Sequence, residues 1–305
     1  MKKGIILSIL IYIFVISLII VIIPFISEQT FNSFSIENKP QKKPYSLYHE
    51  IQTSNDKKYQ ISEYITEPTP QEPQALLNIT RKDKPLISIV IDDFGYSKEE
   101  YIIRAIETLP ITVAIIPFLE YSVEIYEIAK KNNREVLLHI PMEAYNNKNN
   151  ENKYLKINMP KEEILNFLEK AFKEIDAEGI NNHMGSKATE DENLMEIVIS
   201  FLKGKNKIFL DSFTSPKTVG FKKANELGLT PFKRDIFIDN YPSQYYILDK
   251  LKELEAEATK KGYVIAIGHA REETIKTIEK WYEQNKNKYV FTKLRDLENL
   301  IKPQM

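Results

Sequence analysis

The sequence predicts an α/β domain on a parallel sheet, a barrel or a distorted one, over residues 85–305. Two observations carry that class. Short, continuously apolar, β-branched runs recur along this region, as expected of parallel strands covered on both faces. Amphipathic stretches of helical length separate them.

In order, the strand-like runs are Leu86–Ile91, Ile111–Ile116, Glu135–Ile140, Lys207–Leu210 and Tyr263–Ile267. The helical stretches are Lys98–Thr108, Ser122–Asn132, Lys161–Ala177, Asn193–Leu202, Tyr246–Lys261 and Glu272–Glu283. Pro160 stands at a helix start, and Gly179 and Gly262 stand just past helix ends, where a left-handed cap suits glycine. Neither a GxGxxG nor a GxxxxGK[ST] string occurs, and no internal repeat is present.

Ahead of this domain the chain changes character twice. Residues Ile5 to Ile26 form an uncharged run of 22, interrupted only by Ser8, Ser17 and Pro24. A helix of that length covers about 33 Å, enough for a hydrocarbon core of ~30 Å. Lys2 and Lys3 precede it and the next basic residue is Lys39, which places the N-terminus in the cytoplasm and the rest outside. The run is longer than a cleavable signal's apolar region, and Pro24-Phe25-Ile26-Ser27-Glu28 offers no small-x-small cleavage site. The reading is an uncleaved anchor over 1–26 in the cytoplasmic (inner) membrane. Residues 27–84 hold five prolines and no glycine, without sustained periodicity, and read as an extracytoplasmic tether.

Composition narrows the function. The chain has 305 residues, with 42 Lys+Arg against 43 Asp+Glu and a net charge of −1. That balance argues against a nucleic-acid-binding surface. The absence of cysteine excludes disulfides, thiolate metal sites and a Cys nucleophile.

Reactive groups of a parallel α/β domain gather at the C-terminal ends of its strands. Those ends carry Asp92-Asp93, His139 with Glu143, His183, Asp211-Ser212, Arg234-Asp235 near Asp239-Asn240, and His269. Three of the four histidines therefore close strand-like segments; His49 lies in the tether. Alone, each residue has an ordinary structural use as a cap or a hydrogen-bonded polar group. Together they match a mixed nitrogen and oxygen site for zinc or a similar divalent ion, with positions left for water and substrate. Adjacent Asp residues in a strand project to opposite sides, so both serve one site only if the chain turns just after the strand.

The strings VIDDFG (Val90–Gly95), LHIPME (Leu138–Glu143), NNHMGS (Asn181–Ser186), FLDS (Phe209–Ser212) and IAIGHA (Ile265–Ala270) resemble the divergent polysaccharide deacetylase family. This YibQ-like group is a distant branch of the NodB-like carbohydrate esterases, and the resemblance covers residues 85–300. It implies a distorted (β/α) barrel, a divalent metal that is usually zinc, and hydrolysis of acetyl groups on an extracytoplasmic polysaccharide or cell-wall glycan. By that resemblance Asp92 is the general base, Asp93 and His139 are metal ligands, and His269 is the general acid. The better-studied relatives place a second histidine four residues after the first, where this chain has Glu143. His183 is the stronger candidate for the missing imidazole, with Glu143 the other. Their Arg-Pro-x-x-Gly string is absent, which leaves Arg234 or Asp211 to position the base or acid. The departures keep open a catalytically inactive glycan-binding module on the same fold; a different metal hydrolase, or a metal-free glycosidase with paired carboxylates, is a further rival.

Overall fold

A computed structural model of the chain describes residues 84–146 and 153–301. The expected anchor and, save Lys84, the expected tether lie outside the described residues. Among the described residues no helix is long and apolar enough to cross a membrane.

Strands and helices alternate. They run β1 (Leu86–Phe94), α1 (Glu100–Thr108), β2 (Thr112–Ile115), α2 (Ser122–Lys131), β3 (Val136–Met142), α3 (Lys161–Glu174) and β4 (Gly179–Met184). Next come α4 (Glu192–Gly204), β5 (Ile208–Asp211), α5 (Gly220–Glu226), β6 (Phe232–Lys233), β7 (Ile236–Phe237) and α6 (Gln244–Lys261). The domain ends with β8 (Tyr263–His269), α7 (Glu272–Asn285), β9 (Val290–Phe291) and α8 (Leu294–Ile301). Pro160 is the N-cap of α3, and Gly262 caps α6 with φ +84°. Gly179 is not a helix cap as expected. Helix α3 stops at Glu174, and Gly179 opens β4 where a Cβ would lie 2.3 Å from the Ile208 carbonyl oxygen.

The sheet order is β6-β5-β4-β3-β2-β1-β8-β7, all paired in parallel, with β9 added beside the start of β1. Strands β6 and β7 occupy opposite edges, yet only Arg234 and Asp235 separate them in sequence. Three residue steps span at most about 11 Å, so the two edges must come together. The backbone N–H of Arg234 donates to Asp211 on one edge at 3.0 Å, and that of Asp235 donates to Ile265 on the other at 2.8 Å. The sheet is thus rolled into an open barrel whose seam is bridged by chain rather than by a strand ladder.

Alternation along each strand separates two cores. Ile87, Ile89 and Ile91 of β1 face the helices, as do Leu138, Ile180, Phe209 and Val264. Leu86, Val90, Leu137, Leu210, Ile265 and Ile267 face inward, where α8 closes the bottom of the barrel with Leu294, Leu297 and Ile301. Each fully buried aliphatic side chain contributes about 1.5–3 kcal/mol relative to exposure. Glu135, just before β3, fixes that plug: its carboxylate accepts from Thr112 Oγ1 at 2.7 Å and from the backbone N–H groups of Leu294 and Arg295, each at 2.8 Å. Two residues on, at the upper end of each strand, the same inward alternation reaches Asp92, His139, Asn181 and His269. The apolar inner core is the floor of a polar upper layer.

Candidate metal centre

Strand register sets the side-chain neighbours in that layer. Asp92 of β1 pairs laterally with His269 of β8, and His139 of β3 pairs with Asn181 of β4. Alternation would turn Asp93 away from Asp92, but the chain breaks it. Asp93 has φ +66°, and the pairing of β1 with β2 shifts register between Ile91 and Phe94. Both carboxylates therefore reach His139: its Nε2 lies 3.6 Å from Asp92 Oδ2 and 3.4 Å from Asp93 Oδ1. The turn that the adjacent acids require is present. Left-handed backbone at non-glycine residues recurs on this face, at Phe118, Met184 and Phe213 just past or at other strand ends. Such strain concentrates where a site must be built.

Asp93, His139 and His183 offer three ligand atoms that lie within 4.8 Å of one another. His183 Nδ1 stands 3.1 Å from Asp93 Oδ1 and 3.2 Å from His139 Nε2. With the 3.4 Å separation of His139 Nε2 and Asp93 Oδ1, these form a small triangle of one oxygen and two nitrogens. Ligand atoms about 2.1 Å from a tetrahedral zinc stand about 3.4 Å apart, so the triangle fits one face of such a site. Asp93 Oδ1 is buried without a hydrogen-bond partner, an arrangement whose cost a cation would relieve. The residues present fit a divalent metal.

Charge reinforces the cluster. Burial pushes the Asp93 carboxyl up, but the His139 and His183 imidazoles outweigh it and hold it well below the usual carboxylate range. Burial pushes the Asp92 carboxyl up and prevails. Burial pushes His139 down, but Asp92 and Asp93 raise it overall.

On the far side of Asp93, His269 Nε2 lies 3.9 Å from Asp93 Oδ2, while its Nδ1 is held 2.8 Å from Asp239 Oδ1. Phe237 packs edge-on against His269, with ring centroids 5.3 Å apart. In the sequence Asp239 is one strand-end acid among several. Continuing the β7–β8 register, in which Phe237 pairs with Ile267, sets it opposite His269.

The other expected residues do different work. Glu143 takes no part in the triangle. Its Oε1 accepts from Lys187 Nζ at 2.7 Å and its Oε2 from the Ile157 N–H at 3.0 Å, joining the loops around β3 and β4. Asp211 faces outward from β5, where it accepts from the N–H groups of Phe213 and Phe221 and from Thr218 Oγ1. Among the described residues none of these bonds reaches Asp92 or His269. Arg234 directs Nε and Nη2 to the carbonyls of Ser212 and Phe213, and its guanidinium lies 4.7 Å over the Phe237 ring. It braces the ring that flanks His269, and no hydrogen bond from it reaches Asp92 among the described residues.

Fold and site together define a parallel α/β barrel protein with a two-histidine, one-carboxylate cluster in its mouth. The chain belongs to the divergent polysaccharide deacetylase family, whose description matches residues 89–297. It is 37% identical over 196 residues to an uncharacterized protein of Haemophilus influenzae, the match covering 63% of this chain and 69% of that one. It is 33% identical over 196 residues to the uncharacterized protein YibQ of Escherichia coli, covering 63% of this chain and 61% of that one. Among solved structures, an uncharacterized protein of Agrobacterium tumefaciens shares the fold with a TM-score of 0.63 at 21% identity, over 71% of this chain and 92% of that one.

Proposed function

We propose that this chain is a membrane-anchored, extracytoplasmic hydrolase that removes acetyl groups from a polysaccharide with the aid of a divalent metal, zinc by its ligand set. The observation that carries the reading is the triangle of Asp93 Oδ1, His139 Nε2 and His183 Nδ1, with Asp92 beside His139 and His269 beside Asp93.

When bound, the metal supplies Lewis-acid activation of water and of the acyl oxygen. Asp92, buried beside His139, is the base: its Oδ2 accepts a proton from the attacking water. His269 Nε2 is the acid and gives a proton to the departing nitrogen or oxygen. Asp239 holds the proton on Nδ1, which aims Nε2 at the site. The water oxygen bonds to the acyl carbon and the C–N or C–O bond breaks; with one proton taken and one given, the products are acetic acid, which ionises to acetate, and a free amine or hydroxyl. The apolar floor beneath this layer keeps bulk water out from below.

The test is acetate release from acetylated cell-wall glycan by the full chain. Release that stops with a chelator and returns with zinc supports the proposal. Release that survives chelation contradicts it. Glycan binding by zinc-loaded protein without any release also contradicts it, and points to an inactive glycan-binding module. The anchor reading has its own check: after cell fractionation the full-length chain stays in the inner membrane, with its C-terminal domain open to protease from outside.

A further inference from the structure

Asn181 sits fully buried on the inner face of β4, between the base and a ligand of the proposed site. Its Oδ1 lies 2.8 Å from His139 Nδ1. Its Nδ2 donates to Asp92 Oδ1 at 2.8 Å and to Ser212 Oγ at 3.2 Å. An amide has one acceptor end and two donor hydrogens, and here every one is used. The reverse orientation would set the amide oxygen against the Asp92 carboxylate, so the carboxylate fixes which way the amide points. With Oδ1 facing Nδ1, the neutral imidazole of His139 carries its proton on Nδ1. Its Nε2 lone pair then faces Asp93 Oδ1 and His183 Nδ1, as a metal ligand requires.

We propose that Asn181 is the positioning residue that sets two things at once: the tautomer of His139 and the aim of the Asp92 carboxylate. A neutral amide thereby fills the place that Arg234 and Asp211 do not. The hydrogen bonds of their side chains go to the backbone and to Thr218, and Arg234 acts on Asp92 through charge alone. The coupling has a chemical consequence. Base and ligand are held by opposite ends of one planar group, so neither can be re-aimed without disturbing the other. The Asp92 half of the inference rests on the hydrolytic reading above; the His139 half needs only the metal cluster.

Two variants separate the halves. Asn181→Asp keeps an acceptor for His139 Nδ1–H but replaces the donor to Asp92 with an oxygen. Asn181→Ala removes both. In the full chain, nitrogen NMR of the histidine side chains reads the tautomer directly, and zinc titration reads affinity; neither needs turnover. Wild type and Asn181→Asp are expected to hold His139 protonated at Nδ1 and to bind zinc within a few-fold of each other. Asn181→Ala is expected to lose the single tautomer and about 10–100-fold in zinc affinity, as for loss of other outer partners of histidine ligands. With zinc saturating, Asn181→Asp is expected to lose about 10²–10⁴-fold in kcat with little change in KM, because the base is mis-aimed. Unchanged tautomer and zinc affinity in Asn181→Ala overturns the ligand half, and full kcat in Asn181→Asp overturns the base half. If Asn181→Ala fails to fold, Asn181→Asp still decides: loss of its Nδ1 tautomer or zinc affinity overturns the proposal, and their retention supports it. Should wild type release no acetate at all, the hydrolytic reading fails while the tautomer and affinity results stand on their own.

Discussion

His269 Nδ1 lies 2.8 Å from Asp239 Oδ1, and Asp239 Oδ2 accepts from the His269 N–H at 3.0 Å and from Thr274 Oγ1 at 2.7 Å. A fully buried carboxylate thus grips both the ring and the backbone of the one histidine that, among the described residues, stands outside the Asp93, His139 and His183 triangle. Burial pushes the His269 imidazole down, but the bond and charge of Asp239 outweigh it and raise it overall. Burial pushes Asp239 up, and the His269 cation reverses that and lowers it.

Replacing Asp239 with Asn removes the charge that keeps His269 protonated. The acid must carry its proton to act, so the alkaline limb of the kcat/KM profile is expected to move to lower pH. At the optimum kcat should fall about 10²–10⁴-fold. A pH profile of Asp239→Asn whose alkaline limb stays in place would assign the acid elsewhere.

The same pair predicts a stability window. The raised histidine contributes fully below its unfolded value of about 6.5 and loses its contribution as pH rises through the higher folded value. The lowered aspartate contributes fully above about 3.9 and loses its contribution as pH falls through the lower folded value. The gap in Tm between wild type and Asp239→Asn should therefore be widest between about pH 4 and 6.5 and narrow on either side. Thermal unfolding across pH measures it; a gap that widens above pH 8 would contradict the pairing.

His183→Ala and Glu143→Gln discriminate the two candidates for the missing imidazole. His183→Ala is expected to lose stoichiometric zinc, with an affinity loss beyond the about 10–100-fold of an outer partner. Glu143→Gln should keep one zinc per chain and lose at most about 1 kcal/mol, since it weakens a partly exposed pair with Lys187. Elemental analysis of the two purified variants is decisive: zinc lost from Glu143→Gln and kept by His183→Ala would reverse the assignment.

Asp211→Ala tests the outward-facing acid. It strands two backbone N–H groups and the Thr218 hydroxyl, at about 1–3 kcal/mol for each group left unpaired. The urea midpoint should fall accordingly, while the folded fraction keeps its zinc. Loss of zinc without loss of stability would place Asp211 in the site.

Gly179→Ala tests the link from register to chemistry. The added Cβ would meet the Ile208 carbonyl oxygen at 2.3 Å, so β4 must part from β5. A cost of about 1–3 kcal/mol or more follows, and Asn181 and His183 on the same strand move with it. Weakened zinc binding in a folded Gly179→Ala protein is the expected result; native stability and affinity would show that β4 has slack there.

Much of this was legible in the residues, and what was not has identifiable physical causes. The apolar runs that became β1, β2, β3, β5 and β8 announced themselves because both faces of those strands are covered. Strand β4 did not, since its inward face carries Asn181 and His183 and so reads as polar. Strands β6, β7 and β9 are two residues each, too short for any periodicity, and form only where the tertiary fold sets them beside β5, β8 and β1. Helices α5 and α8 are short, and α8 is held by Glu135, which is about 160 residues upstream. The histidines and paired aspartates were visible at strand ends. Asn181 and Asp239 stand in the same stretches of sequence, but their roles as the partners that aim those groups are not readable there, because ordinary residue types gain such roles only through lateral register.

The most direct measurement is anomalous diffraction at the zinc edge from crystals of the zinc-loaded protein. The account predicts one strong peak bounded by Asp93 Oδ1, His139 Nε2 and His183 Nδ1, with Asp92 and His269 flanking it. A zinc-loaded, acetate-releasing protein whose peak lies on Glu143, or anywhere else, would contradict it.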